Sequence, residues 1–182
     1  VLQITVPKRE FFDEATQCFV ECEAITLQLE HSLVSMAKWE SRWHKPFLVN
    51  LEKRTPDENN DYLRCMTLTK NVPETAYLYW SSELTKKVET YISDPMTATT
   101  ITEPPGTKKG QKEIMTAEVI YYYMTALTIP FECQKWHLNR LLTLIRVCSI
   151  KSQPPKKMGK REVLSRNAAL NQSRRAQNNT KG

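Results

Sequence analysis

Apolar and polar residues alternate at two places early in the chain. Leu2, Ile4 and Val6 fall on one side of LQITV, and Ile25, Leu27 and Leu29 on one side of ITLQL. Both stretches predict strands, the second placed to pair with the first. Between them, Phe11 to Glu23 fits a helix and a strand equally well. From Ser32 the period lengthens. Leu33, Met36, Ala37 and Glu40 recur at helical spacing, as do Trp39 and Trp43, and the helix should stop before Pro46 because the residue ahead of a proline avoids the α region.

Thr55-Pro56-Asp57-Glu58 has the form of a helix start. Thr55 can cap, Pro56 suits the first helical position and Glu58 completes a capping box, with the helix running through Asp61–Thr67. Another helix is expected after Ser81 or Ser82, with Leu84, Val88, Tyr91 and Ile92 on one face and its end before Pro95. Residues 97–110 read as a short strand or loop with an exposed Pro/Gly/Lys tip. Lys112 to Thr128 predicts a helix whose three consecutive tyrosines, Tyr121 to Tyr123, span too much of its circumference for all to face the core.

After Pro130 comes PFECQKWHLNRLLTLIRVCSIK, read as one helix ended by Pro154 and Pro155. Leu138, Leu141, Leu142, Ile145 and Cys148 recur every three or four residues and form an apolar stripe, which makes this the central helix of the fold. The whole is an α+β chain, mainly α-helical, with a small N-terminal β element. Residues 1–150 form the body and residues 151–182 a basic C-terminal arm with helix-forming composition.

Charge sharpens that division. The arm holds nine basic residues and one acid, whereas the body holds 17 basic and 19 acidic residues. Lys156, Lys157, Lys160, Arg161, Arg166, Arg174 and Arg175 are its candidate contact residues. Such an arm docks on acidic protein surfaces, binds nucleic acid electrostatically or is a plain solvated tail. Protein docking is the preferred reading, because the body carries no RNP-type aromatic pattern, GXXG loop or helix-turn-helix.

The candidate chemistry is sparse. Five cysteines without a framework, and an N-terminus without an apolar leader, predict reduced thiols in an intracellular protein with no membrane span. Cys133 and His137, like Cys18 and Cys22, are spaced four apart, as metal ligands on one helix face would be. That spacing arises often by chance, the CxxC knuckle with its turn glycine is missing, and cysteines pack readily as small hydrophobes. Cys133 with His137 as nucleophile and base lacks a third group and a glycine-built oxyanion loop. His31 and His44 have no visible support, His44 looking like a helix-end residue. Asp13–Glu14 and Asp57–Glu58 sit where acids favour the helix dipole. No enzyme and no cofactor is expected.

Three blocks together are distinctive: LQLEHSLVSMAKWESRWHKPFL at 27–48, DYLRCMTLTKNV at 61–72, and the stretch from Ile129 to Gly182. Their order and spacing resemble a family encoded by tailed bacteriophages and prophages, the tail assembly chaperones. The resemblance covers nearly the whole chain and is weakest between residues 73 and 112. It implies a non-enzymatic protein of the host cytoplasm that binds the tape-measure protein and the major tail-tube protein during virion morphogenesis and then leaves. A homo-oligomer is compatible with this. Trp39, Trp43 and Phe47 are candidates for an aromatic strip that contacts a partner, the slightly preferred alternative being that Trp39 and Trp43 pack against the helix at 131–149. Trp136 and Arg140 are further candidates. The rival reading is a structural virion component, a minor tail, neck or connector protein, whose arm contacts neighbouring subunits or DNA.

Overall fold

The computed structural model describes residues 1–13, 17–49, 53–78, 80–101, 113–152 and 160–178. It is an α+β, mainly helical fold. It divides into two compact units, Val1–Ile150 and Lys151–Gly182.

The first unit opens with a long antiparallel ribbon. Strand β1 (Leu2–Val6) pairs with β4 (Ile25–Leu29), and β2 (Arg9–Asp13) pairs with β3 (Cys18–Cys22). The two ladders share one register: Val6 faces Ile25 at the end of the first, and Arg9 faces Cys22 at the start of the second, with no residue gained or lost on either side. Pro7 lies at the interruption, where a residue without an N–H cannot donate to the ladder. Lys8 still reaches across it to Glu23 at 2.7 Å. The ambiguous stretch from Phe11 to Glu23 is therefore the far half of a hairpin. The outer edge of β4 is occupied by residues 66–69: Glu30 N–H donates to Met66 O at 2.9 Å and Leu68 N–H to Gln28 O at 2.8 Å.

Helices α1 to α4 of the body start at the caps that their sequences supply. Helix α1 (Leu33–Trp43) starts at Ser32, which forms a capping box with Ser35, and ends at His44 in the left-handed conformation with φ 52°. Helix α2 (Pro56–Met66) has the expected box between Thr55 and Glu58. Helix α3 (Ser82–Ser93) is capped by Ser81. Helix α4 (Ala117–Ala126) begins later than the sequence suggests, because Thr116 takes the cap position and accepts from Val119 N–H. Of the three tyrosines, Tyr122 is exposed while Tyr121 and Tyr123 are half-buried. No strand occurs in residues 97–101; the rest of that segment lies outside the described residues.

The stretch after Pro130 is not one helix. Phe131–Lys135 is a 3-10 helix, Trp136 is extended (φ −71°, ψ 162°), and α5 starts at Leu138. The cause is a strand-like contact with the segment before α1. Leu138 N–H donates to His31 O at 2.7 Å, and His137 bridges Ser32. Leu138, Leu141 and Ile145 of α5 are buried as the stripe requires, while Leu142 and Cys148 are half-buried.

The core joins Ile4, Val6, Leu27 and Leu29 of the ribbon to Leu33, Met36 and Trp39 of α1, Met66 of α2, Ile120 and Met124 of α4, and Leu138 and Leu141 of α5. A buried carboxylate fastens these layers. Glu40 accepts from Phe47 N–H at 2.6 Å and from Ala117 N–H at 2.7 Å, linking α1 to the turn after it and to the start of α4. We predict that Glu40→Leu, which leaves both N–H groups buried and unpaired, lowers unfolding free energy by ~2–5 kcal/mol, and that Glu40→Gln, which keeps one acceptor, costs about half as much. Urea titration of the three proteins checks this; equal midpoints for wild type and Glu40→Leu would remove the link.

Candidate partner-binding surface and a buried histidine pair

The aromatic strip expected on α1 is corrected by the structure. Trp39 is 1% exposed and Phe47 2%, so neither presents a face to a partner. They form a closed box with α2. Trp39 Nε1 donates to Glu58 O at 2.8 Å, and the Arg54 guanidinium lies 3.8 Å from the Phe47 ring centre and 4.8 Å from that of Trp39. Burial pushes the Arg54 pKa below its ordinary value. Trp43 is half-buried, stacks on Trp39 and donates to Asp61 Oδ2 at 2.9 Å, while Arg42 pairs with Asp61 Oδ1. Lys45 bonds Glu58 at 2.5 Å, and that bond, with the Thr55 N–H, holds the Glu58 carboxyl below the usual range. An inward tryptophan with its N–H satisfied is a core residue.

Trp136 and Arg140 lie outside. Trp136 is 36% exposed, and the Arg140 guanidinium stacks over it with its centre 4.3 Å from the ring centre. The extended backbone at Trp136 turns the indole out of the helical path. The pair borders a recess of about 280 Å³ that Lys135, Met96 and His137 also line. An exposed, cation-stacked tryptophan beside an open recess suits an apolar anchor from another protein.

Beneath that recess is a buried polar cluster that the sequence did not reveal. His31 Nδ1 lies 2.5 Å from Tyr62 Oη, and its ring centre lies 5.0 Å from that of His137. His137 Nε2 donates to Tyr91 O at 3.0 Å, and Tyr91 Oη donates to Glu30 Oε1 at 2.7 Å. Burial, with His137 and Arg54 nearby, pushes the His31 pKa down to about 3. Burial also raises the Tyr62 and Tyr91 hydroxyls well above their ordinary value. Tyr62 is therefore protonated and His31 neutral, so one proton is shared along the line between them. His137 Nδ1, on the other side of that ring, is buried and finds no hydrogen-bond partner among the described residues. The cluster ties the segment before α1 to α2, to α3 and to the residue that precedes α5. Its signal was present in the two histidines, but a lone histidine does not announce its partner.

The proposed ligand spacings are taken apart. Cys133 is in the 3-10 helix and His137 beyond its end, so they do not share a helical face. Cys18 is exposed and Cys22 buried, both on a strand. Among the described residues no group of three or more His, Cys, Asp or Glu could hold a metal ion, and no helix is long and apolar enough to cross a membrane.

In the second unit, α6 (Lys160–Asn178) carries Arg161, Arg166, Arg174 and Arg175, all exposed, along with exposed Val163, Leu164 and Leu170. Lys156 and Lys157 lie outside the described residues, as does the side chain of Lys160. Comparison with family models, with curated proteins and with solved structures returns no match.

Because folded His31 takes up a proton only near pH 3 while the unfolded chain does so near 6.5, its contribution to stability is full above about 6.5 and is lost as pH falls. We predict a decline of up to ~1.4 kcal/mol per pH unit below 6.5, with Glu58 adding a further loss below its ordinary value of 4.5. His31→Gln should be less stable at pH 7 yet flatter between pH 6.5 and 4.5 in urea titrations. An unchanged slope would clear His31 of the effect.

Proposed function

We propose that this chain is a non-enzymatic assembly factor, a tail assembly chaperone of a tailed phage, which binds the tape-measure protein or the major tail-tube protein in the host cytoplasm during virion morphogenesis. The phage assignment rests on the three sequence blocks at 27–48, 61–72 and 129–182. The observation that carries the binding role is the division of labour between the two units. The body has a fully packed core, yet leaves the Trp136–Arg140 pair in the open. The second unit contributes a 19-residue helix whose described side chains are all exposed. A helix without a buried face draws little stability from packing. It is suited to gaining that stability from a partner, and its arginines favour an acidic one.

The same helix gives the structural-component reading its support, since an arm of this kind can lace into a neighbouring subunit. Mass spectrometry of purified virions decides between them: a chaperone is absent from mature particles, whereas a structural part is present at fixed copy number.

Co-expression with tape-measure protein tests the binding role. Wild-type chain should hold it in the soluble fraction and co-purify with it. Trp136→Ala should weaken that association about thirtyfold, in line with the ~2 kcal/mol typical of an aromatic anchor, without changing the melting temperature by more than a degree or two. Arg140→Ala should do less. A Trp136→Ala protein that co-purifies as well as wild type would remove this pair from the interface.

A further inference from the structure

The apolar face that builds the core continues along the ribbon to a place where no described residue buries it. Counting by alternation through the unslipped register, Leu2, Ile4 and Val6 are in phase with Lys8, Glu10 and Phe12, and Leu29, Leu27 and Ile25 with Glu23, Glu21 and Phe19. In the near half this face is the core: Ile4 and Val6 are buried with Leu27 and Leu29. In the far half the burial is reversed. Cys22, on the opposite face, is buried, and Arg9 reaches Thr75 O and Ala76 O at 3.2 Å, so the ribbon rests its other side against the 3-10 helix Glu74–Tyr77. Phe12 and Phe19 are thereby left 48% and 69% exposed, packed edge to face with ring centres 5.2 Å apart.

Beside them is an arrangement that is unfavourable in the isolated chain. Glu10 is directly opposite Glu21, a cross-strand pair of like charge, and both are exposed. Lys8 offsets this only in part, lying 2.7 Å from Glu23 and 3.7 Å from Glu21. Glu10 has no ion-pair partner among the described residues. Two acids and two aromatic rings therefore share one exposed face.

We infer that this face of the ribbon, Phe12–Phe19 with Glu10–Glu21, is a docking surface for a cationic segment bearing apolar side chains in the protein that the chain escorts. Apolar anchors pack on the two rings, and a lysine or arginine relieves the repulsion between the two carboxylates. The charge pattern selects the occupant. Nucleic acid and acidic segments are repelled from this face by the same acids, and two ribbons meeting face to face would set carboxylates against carboxylates. The surface is distinct from the Trp136–Arg140 pair, whose charge is opposite. This inference rests on the tail-assembly reading and specifies one of its contacts.

The full-length chain is co-expressed with tape-measure protein as wild type, Phe12→Ser/Phe19→Ser and Glu10→Lys/Glu21→Lys, and each is retained on an affinity column at low and high salt. All four substituted positions are exposed, so melting temperature serves as the control for folding. Retention should fall at least tenfold for the serine variant at either salt, and at least tenfold for the lysine variant at low salt, where wild-type binding is strongest. If wild type retains tape-measure protein and the lysine variant, folded, retains it equally, the docking surface is refuted while the tail-assembly reading stands. If wild type retains none, the tail-assembly reading fails and this inference with it. Sedimentation velocity adds a third arm: a self-associating wild type made monomeric by either variant would assign the face to a second copy and overturn the cationic partner.

Discussion

Everything in the body is organised around carboxylates that point inward from two short helices. Glu40 on α1 is the most consequential, because its two oxygens accept backbone N–H groups from segments distant in sequence, Phe47 and Ala117. Those groups sit at a turn and at a helix start, where no intrahelical acceptor exists for them. Glu58 and Asp61 on α2 do related work, holding Lys45, Arg42 and the Trp43 indole around the aromatic box. Charged groups are costly to bury, and each of these is accompanied by donors that meet the cost. The aromatic side chains then close over polar links already directed in space.

That arrangement explains why α1 misleads when read as a sequence. Trp39, Trp43 and Phe47 recur at intervals that place them near one another, and large aromatics with nearby arginines suggest an interface as readily as a core. The deciding facts are Glu58, which takes the Trp39 N–H through its carbonyl, and Arg54, which stacks on two of the rings. Both come from residues more than five positions away, and spacing along one helix carries no information about them. Strands β1 and β4, the capping box at Thr55 and the buried stripe of α5 were legible because each depends on local chemistry, whereas the capping box at Ser32 and the strands between Phe11 and Glu23 were not.

The stretch at 130–151 shows the same limit at the backbone level. Its composition suits a continuous helix, and the leucine stripe does form one. The carbonyl of His31 competes for the N–H of Leu138, and the bridge between Ser32 and His137 holds residue 137 in a strand-like pairing. A non-local hydrogen bond thus decides where α5 begins, and with it the outward turn of Trp136. The exposure of the tryptophan and the burial of the histidine beside it are two results of one pairing.

The register of the ribbon has a bearing on what changes the chain can tolerate. Because both ladders run in step through Pro7, the face presented at the tip is geared to the face buried at the base. Adding or removing one residue in a single strand would rotate everything beyond it by half a turn, burying glutamates or exposing Cys22. Length can therefore change only in matched pairs, one residue on each strand, which extends or shortens the arm while keeping its working side. The ribbon is in that sense adjustable in reach but fixed in orientation.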